Sequence, residues 1–118
     1  MVVNYEPMTV HEYQQAALRT LNPELDYDET LIDGVMGLCG EAGECIDIVK
    51  KYRCQGHTLD EEHLAKELGD VAWYLAVTAN AIGYDLEDIL QMNINKLNER
   101  YPNGFEAAKS INRKEGDI

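Results

Sequence analysis

Residues 31–52 read LIDGVMGLCGEAGECIDIVKKY. Apolar positions recur in this stretch at alternating steps of four and three residues, a spacing that lines them along one side of a helix. They are Leu31, Val35, Leu38, Ala42, Cys45, Val49 and Tyr52. We therefore predict a packed helix from about Glu29 to Tyr52. Only three residues between Val35 and Val49 are charged, so we expect this helix to be buried nearly all round.

A second long helix is predicted after a short connection at 53–57. Thr58 is expected to cap it, with Glu61 at the third position of a capping box, and Gly83 is expected to end it. Its apolar side repeats the same rhythm at Leu64, Leu68, Val71, Leu75, Thr78 and Ile82. We expect the two long helices to pack side by side and antiparallel.

Three shorter helices complete the predicted fold. The first starts at a Thr9 cap, another runs from about Leu86 to Arg100, and a short last helix lies near 106–111. The polar tail, 112–118, is expected to fray. Strand signals are nearly absent, because apolar and polar residues do not alternate over any sustained run. The chain is thus predicted to be all-α, an antiparallel four-helix-bundle-like fold with a short fifth helix.

The composition of the chain restricts its partners. Its 118 residues suit one domain over 1–118, and 22 acidic against 10 basic residues give a formal net charge of −12. This charge repels nucleic acid and anionic membranes, so we expect neither as a partner. No targeting segment and no membrane-spanning run is recognisable, and three cysteines suit a reducing compartment. We expect a cytoplasmic protein.

Two acidic pairs stand at the edge of the apolar helices. Glu41 with Glu44, and Glu67 with Asp70, are each three residues apart and so project from one helix face. Antiparallel packing would bring all four carboxylates together, where they repel one another unless their pKa values rise or cations bind. Carboxylate oxygens favour a hard divalent ion, Mg²⁺ or Mn²⁺, over zinc. The alternative is solvated surface, because Asp and Glu are rarely buried.

Four glycines in the first long helix give a second signal. Each interior glycine destabilises a helix by about 0.5–1 kcal/mol relative to alanine. The four are Gly34, Gly37, Gly40 and Gly43. They either clear space beside the carboxylates for a metal or ligand, or allow a neighbouring helix to approach closely.

The acidic pairs lie within an ordered set of motifs. The set comprises Gly40-Glu41-Ala42-Gly43-Glu44, then Glu67-Leu68-Gly69-Asp70, then Asn93-Ile94-Asn95-Lys96-Leu97 and Arg100-Tyr101-Pro102. From about residue 31 to 105 the chain resembles the MazG-like all-α nucleotide pyrophosphohydrolases, whose signature is E-x-x-E on one helix and E-x-x-D on the next. Gly40 stands where many members carry a further glutamate, so the number of metal ions stays open.

The resemblance implies four carboxylates that are both catalytic and metal-binding, and that hold Mg²⁺: Glu41, Glu44, Glu67 and Asp70. It implies hydrolysis of a (deoxy)nucleoside triphosphate to a nucleoside monophosphate and pyrophosphate, as in the cleaning of a nucleotide pool. It also implies that Asn93 and Lys96 approach the phosphates. Similar proteins are dimers or tetramers, and apolar helices that one chain cannot cover favour the same homo-oligomer.

Further substrate contacts are predicted at Lys50, Lys51, Trp73 and Arg100. For the two lysines the alternative is a solvated helix end, since the last turn of a helix favours cations. For Trp73 the functional reading is stacking on the nucleotide base, and the alternative is packing in the core.

The sequence also bears on three other possible functions. A ferritin-like di-metal oxidase would need Glu-x-x-His motifs, and the sequence contains none. A non-enzymatic acidic module that binds a basic partner would carry its acids on the surface, not at Glu41 and Glu44 in an apolar helix. Phosphoribosyl-ATP hydrolysis, which uses the same chemistry, stays open.

Overall fold

The protein is all-α in the computed structural model, which describes residues 5–118. The five helices are α1 Val10–Leu18, α2 Tyr27–Cys54, α3 Glu61–Ala81, α4 Leu86–Arg100 and α5 Ala107–Ile111. No strand occurs among residues 5–118, where one isolated bridge pairs Pro102 with Gly104. The predicted all-α class is confirmed. None of the helices in this range combines the length and the hydropathy that crossing a membrane requires.

Capping boxes start the first two helices. Thr9 and Glu12 form the predicted box at α1, with each side chain accepting a hydrogen bond from the backbone N–H of the other residue. Asp26 and Glu29 make the same arrangement at α2. Because Asp26 supplies this cap, α2 begins at Tyr27, slightly before the predicted start at Glu29.

The start of α3 differs from its prediction. Asp60 is the cap, and its carboxylate accepts a hydrogen bond from the backbone N–H of His63 at 3.0 Å. The predicted Thr58 cap is wrong, because the aspartate that follows it closely offers the same kind of acceptor and is the one at the helix boundary.

Gly83 ends α3 as predicted. Its φ of +82° is a left-handed conformation that favours glycine. The N–H groups of Gly83 and Tyr84 donate to the carbonyls of Asn80 and Ala79, at 3.0 and 2.9 Å. This pair of bonds is the Schellman motif, which satisfies the carbonyls left open at the end of a helix.

The chain divides into two compact units, one up to residue 86 and one from residue 87 to 118. In the first unit α3 packs against both α2 and α1. The second unit contains most of α4, the whole of α5 and the segments between and after them. The arrangement of four helices as a bundle stays a prediction, as does the single domain over 1–118, whose first four residues lie outside the described range.

A buried glutamine joins α1 to the end of α3. Gln14 is only 2% exposed. Its Nε2 donates to the carbonyls of Ala76 at 3.1 Å and Tyr84 at 3.2 Å, and its Oε1 accepts from the N–H of Leu86 at 3.0 Å. Burying an amide without partners would destabilise the fold, whereas this amide is bonded at both its nitrogen and its oxygen.

Two glycines of α2 lie close against α3. A Cβ atom at Gly34 would meet the side chain of Thr78, and one at Gly37 would meet the ring of Tyr74. Residue numbers rise along α2 as they fall along α3 in these pairs, so the two helices run antiparallel. At these two positions the glycines serve the close approach of helices.

Only part of the predicted apolar seam of α2 is covered in the single chain, at Leu31, Leu38 and Cys45. Val35 and Tyr52 on α2, and Leu68 and Leu75 on α3, are about half exposed. The buried residues of α2 lie one position earlier than members of the seam, at Thr30, Gly34 and Ile48. The expectation of a helix buried nearly all round is therefore wrong for the single chain. The rhythm of the sequence identifies an apolar stripe, but Gly34 and Gly37, about a quarter of a turn round the helix from it, make the closer contact with α3.

In the second unit, an ion pair holds the segment that follows α5. The Nε and Nη2 atoms of Arg100 donate to the two carboxylate oxygens of Asp117 at 2.8 and 2.7 Å, and both side chains are mostly buried. The expectation that 112–118 frays is wrong, because Asp117 bonds this segment back to the end of α4.

Candidate metal centre

Three carboxylates converge between α2 and α3 in the first unit. Glu41 on α2 and both Glu67 and Asp70 on α3 each offer one oxygen, and these oxygens lie within 4.8 Å of one another. Glu67 and Asp70 share a helix face because they are three residues apart. Glu41 reaches them because it lies one turn beyond Gly37, where α2 approaches α3 closely.

This grouping changes the acidity of Glu41. Its pKa rises from 4.5 to about 7, chiefly because its carboxyl shares a hydrogen bond with Glu67. Partial removal from water and the charges of Glu67, Asp70 and Glu44 add to the rise. Glu41 therefore keeps its proton to a higher pH than an ordinary carboxyl group does, unless a cation takes the place of that proton.

Glu44, the fourth predicted ligand, lies beside this group. Its side chain is exposed and does not belong to the three that converge. Its charge nevertheless raises the pKa values of Glu41 and of Lys51, so it is within electrostatic reach of both. The structure thus brings three of the four predicted acids together and leaves the fourth at the edge of the group.

The donor set fits a hard divalent cation. Oxygens on opposite sides of one Mg²⁺ lie about 4 Å apart, since each bond is about 2.1 Å long, so oxygens within 4.8 Å need to move little. Within the described part of the chain, the group contains carboxylates alone, as Mg²⁺ or Mn²⁺ prefers. A Cβ atom at Gly40 or Gly43 would meet nothing within 4 Å, so α2 leaves open space on both sides of Glu41 in sequence.

Two tyrosines lie near the acids. Burial, and then the charge of Asp70, raises the pKa of Tyr13 on α1. Burial also raises the pKa of Tyr74 on α3, with further contributions from the charges of Asp33, Glu41 and Asp70. Both hydroxyls therefore remain neutral and add no further negative charge to the group.

His63 is a site residue that the sequence reasoning missed. Its Nε2 lies 3.3 Å from Oε1 of Glu67, one turn along α3. A hydrogen bond from a neighbouring side chain is the usual way in which a metal-binding carboxylate is oriented. The spacing of four residues between His63 and Glu67 was the signal that could have found it.

The predicted phosphate-binding lysines lie in the last turns of α2. The Nζ of Lys51 pairs with Asp47 at 2.8 Å, and this contact raises the pKa of Lys51. Lys50 is exposed, and its charge contributes to lowering the pKa of Asp47. Both cations therefore interact with Asp47, beyond Glu44 along the helix.

Trp73 contacts α1 and the residues just after it. Its Nε1 donates to the carbonyl of Ala17 at 3.1 Å and to Oγ1 of Thr20 at 2.9 Å. Its ring also packs edge-on against Tyr74, with 4.9 Å between the ring centroids. These contacts are those of a structural aromatic, which is the alternative that the sequence left open for Trp73.

The remaining predicted substrate contacts belong to the second unit. Asn93 and Lys96 are exposed on α4. Arg100 lies at the end of α4, and its guanidinium donates hydrogen bonds to the carboxylate of Asp117.

Comparisons with known proteins agree with the motifs at the acidic group. The family model of the MazG nucleotide pyrophosphohydrolase domain matches residues 29–105. Gene 37 protein of Mycobacterium phage L5 is 40% identical over 114 residues, which cover 90% of this chain and 100% of that protein. No solved structure matches the chain.

Proposed function

This chain belongs to the MazG nucleotide pyrophosphohydrolase family, and from that premise we propose that it hydrolyses a (deoxy)nucleoside triphosphate between its α and β phosphates. The products are a nucleoside monophosphate and pyrophosphate, and the reaction serves to clean a nucleotide pool. The observation that carries the proposal is the convergence of Glu41, Glu67 and Asp70 within the matched residues 29–105.

The roles of the acids follow from their positions. We propose that Glu41, Glu67 and Asp70 hold Mg²⁺ or Mn²⁺, and that Glu44 joins them when substrate binds. A divalent ion in such a site neutralises phosphate charge and lowers the pKa of water. We propose that Glu44, which is exposed and lies outside the group of three that converge, accepts the proton of the water that attacks phosphorus. The bond between phosphorus and the bridging oxygen breaks, and pyrophosphate leaves with the electron pair.

Substrate contacts beyond the acids are also part of the proposal. Asn93 and Lys96, exposed on α4, are proposed to bind the phosphates, and Lys50 to add a further positive charge. Lys51 and Arg100 would contribute only after leaving Asp47 and Asp117, the carboxylates that they now contact. We propose that Trp73 keeps a structural role, since its indole N–H donates to the carbonyl of Ala17 on α1 and to Thr20.

Self-association is proposed because α2 exposes a continuous apolar stripe. We call this stripe the outer face of α2, and it consists of Ile32, Val35, Met36, Cys39, Ala42 and Ile46. All six are exposed, with Met36 at 69% and Ile46 at 63%. Complete burial of an exposed Val, Ile or Met side chain would gain up to about 1.5–3 kcal/mol, and Cys39 and Ala42 would gain less. A second copy of the chain, as a dimer or tetramer, is the proposed cover.

Hydrolysis of a panel of nucleotides tests the catalytic proposal. The panel holds canonical and damaged nucleoside triphosphates and phosphoribosyl-ATP, each with Mg²⁺, and phosphate is measured with and without added inorganic pyrophosphatase. Cleavage between the α and β phosphates releases phosphate only when pyrophosphatase is present.

Glu44→Gln should abolish turnover while the helical circular dichroism stays unchanged. Asp28→Asn removes the same charge near the start of α2 and should leave turnover as it is. A protein that releases no pyrophosphate from any nucleotide in the panel would contradict the proposal and favour an acidic module that binds a basic partner.

A further inference from the structure

The second unit contains a cavity of about 440 Å³ that extends beyond the family motifs. It lies between the end of α4 and the segment that runs from α5 to the end of the chain. Most of its basic side chains come from residues beyond 105, where the family match ends. Lys96, Arg100 and Pro102 belong to the family motifs, whereas those motifs assign no role to the lining residues beyond 105.

Basic residues are concentrated around this cavity. The whole chain has 10 basic residues against 22 acidic ones. Half of those basic residues line this one cavity, and they are Lys96, Arg100, Lys109, Arg113 and Lys114. Three acidic residues, Glu99, Glu115 and Asp117, line it as well. The net charge of the chain is −12, so its composition alone would predict an acidic surface here. The local excess of basic residues is the opposite of that expectation.

Only one of these cations has an ion-pair partner. Arg100 uses two nitrogens to hold the carboxylate of Asp117. Across residues 5–118, the ion pairs include none that involves Lys96, Lys109, Arg113 or Lys114. Four like charges around one cavity repel one another, and an anion bound among them would remove that repulsion.

Asp117 shows that this environment stabilises negative charge. Hydrogen bonding to Arg100 is the main cause that lowers its pKa, and the charges of Arg113 and Lys96 lower it further. A carboxylate supplied by the chain itself is thus already bound at one side of the cavity by Arg100, and Arg113 and Lys96 are close enough to act on it through their charges. The remaining space and the unpaired cations can take a second anion.

We propose that this cavity binds a phosphate-bearing anion through Lys109, Arg113 and Lys114, while the pair of Arg100 with Asp117 holds those residues in place. Phosphate groups fit because each offers several strong acceptor oxygens to ammonium and guanidinium donors, and a pyrophosphate or triphosphate group spans more than one cation. Nucleic acid is excluded as the ligand by the repulsion of the whole acidic chain. The inference does not rest on hydrolysis at the acidic centre.

Binding of inorganic pyrophosphate to the full chain tests the proposal. Isothermal titration calorimetry in EDTA, without divalent metal, keeps the acidic centre out of the measurement. Arg113→Gln with Lys114→Gln should weaken the affinity about tenfold or more, because each lost contact is charge-assisted. Lys66→Gln removes one positive charge from α3, as Lys109→Gln does from the cavity, and should leave the affinity unchanged within about twofold. Lys109→Gln alone should weaken binding by a smaller factor. This single variant keeps the proposal testable if the double variant does not fold.

Kinetic measurements on the same variants distinguish two sources of the anion, the phosphates of the substrate and a separate phosphate ligand. A rise in KM for the hydrolysed nucleotide that parallels the loss of pyrophosphate affinity would identify the anion as the phosphates of the substrate. An unchanged KM with lost pyrophosphate affinity would identify a separate phosphate ligand. Equal pyrophosphate affinity in the wild type, the double variant and Lys109→Gln would overturn the proposal, as would an absence of binding to the wild type.

Discussion

The two sides of α2 carry opposite kinds of residue. Its inner face, which consists of Thr30, Gly34, Gly37, Glu41 and Ile48, is mostly small or polar, and its two glycines lie against α3. Its outer face holds the larger apolar side chains, yet in the single chain they are exposed. A helix of an isolated domain usually has the reverse arrangement, with its apolar stripe directed at its own core.

This difference shows how the candidate metal centre is built. Glycines on the inner face allow the backbones of α2 and α3 to approach, and this approach brings Glu41 to Glu67 and Asp70. Larger residues at Gly34 and Gly37 would separate the helices and the carboxylates with them. The apolar surface that would normally hold two helices together is consequently left on the other side of α2, available to a partner.

The largest expected effect comes from removing an acid of the inner face. Glu41→Gln should lower kcat about 1000-fold or more, because one of the three converging carboxylates is lost from a site whose function is electrostatic. It should also weaken Mn²⁺ binding, measured by electron paramagnetic resonance. Asp28→Asn, an exposed acid of α2 away from α3, should change neither quantity. Full activity in Glu41→Gln would show that the inner face is only a packing surface.

A charge on the outer face should act on association instead. Met36→Lys should weaken self-association roughly 30-fold, equivalent to about 2 kcal/mol, since a buried methionine would be replaced by a lysine in an apolar contact. Sedimentation velocity over a range of concentrations measures this effect. Ile111→Lys, an exposed apolar residue of α5, is the matched control and should have no effect. A wild-type protein that stays monomeric at every concentration would contradict the proposed role of the outer face.

A pair of glycine substitutions compares crowded and open positions on the same helix. Gly37→Ala should lower the free energy of unfolding by about 1–3 kcal/mol, because its new methyl group meets the ring of Tyr74. Gly40→Ala should raise it by about 0.5–1 kcal/mol, because nothing lies within 4 Å and alanine favours the helix. Urea denaturation gives both values. Equal effects of the two substitutions would show that the close approach of α2 to α3 is wrong.

The smallest expected effect is a dependence of stability on pH without metal. The pKa of Glu41 is about 7 in the folded chain against 4.5 in the reference state, so between these values the folded chain keeps a proton that the unfolded chain releases. The free energy of unfolding should therefore fall as the pH rises from 4.5 to about 7 in EDTA. Glu41→Gln should flatten this slope, and Mg²⁺ should restore stability near pH 7. A slope that is unchanged in Glu41→Gln would assign it to other groups.

Local signals in the sequence predicted much of the fold. The capping box at Thr9, the stop at Gly83 and the span of α4 depend on neighbouring residues, and they were predicted correctly. The convergence of Glu41 with Glu67 and Asp70 followed from spacing and antiparallel packing.

Other features depend on contacts that spacing does not encode. The four-and-three rhythm identified an apolar stripe on α2, but the side of the helix that meets α3 is decided by where glycine allows backbones to touch. Thr58 and Asp60 are both good caps, and the choice depends on where the connection from α2 ends. The bond between Arg100 and Asp117 joins residues 17 positions apart across a loop, so no helical periodicity could indicate it.

The buried amide of Gln14 also couples the local unfolding of α1 to that of residues 84–86. Its hydrogen bonds connect α1 to the carbonyl of Tyr84 and to the N–H of Leu86. If α1 moved away from the rest of the unit, these groups would lose their hydrogen-bond partners. We therefore expect α1 and residues 84–86 to open in one cooperative local unfolding event. In amide hydrogen exchange, the Leu86 N–H should then exchange as slowly as the most protected amides of α1, although it lies in the first turn of α4, where N–H groups have no partner within the helix.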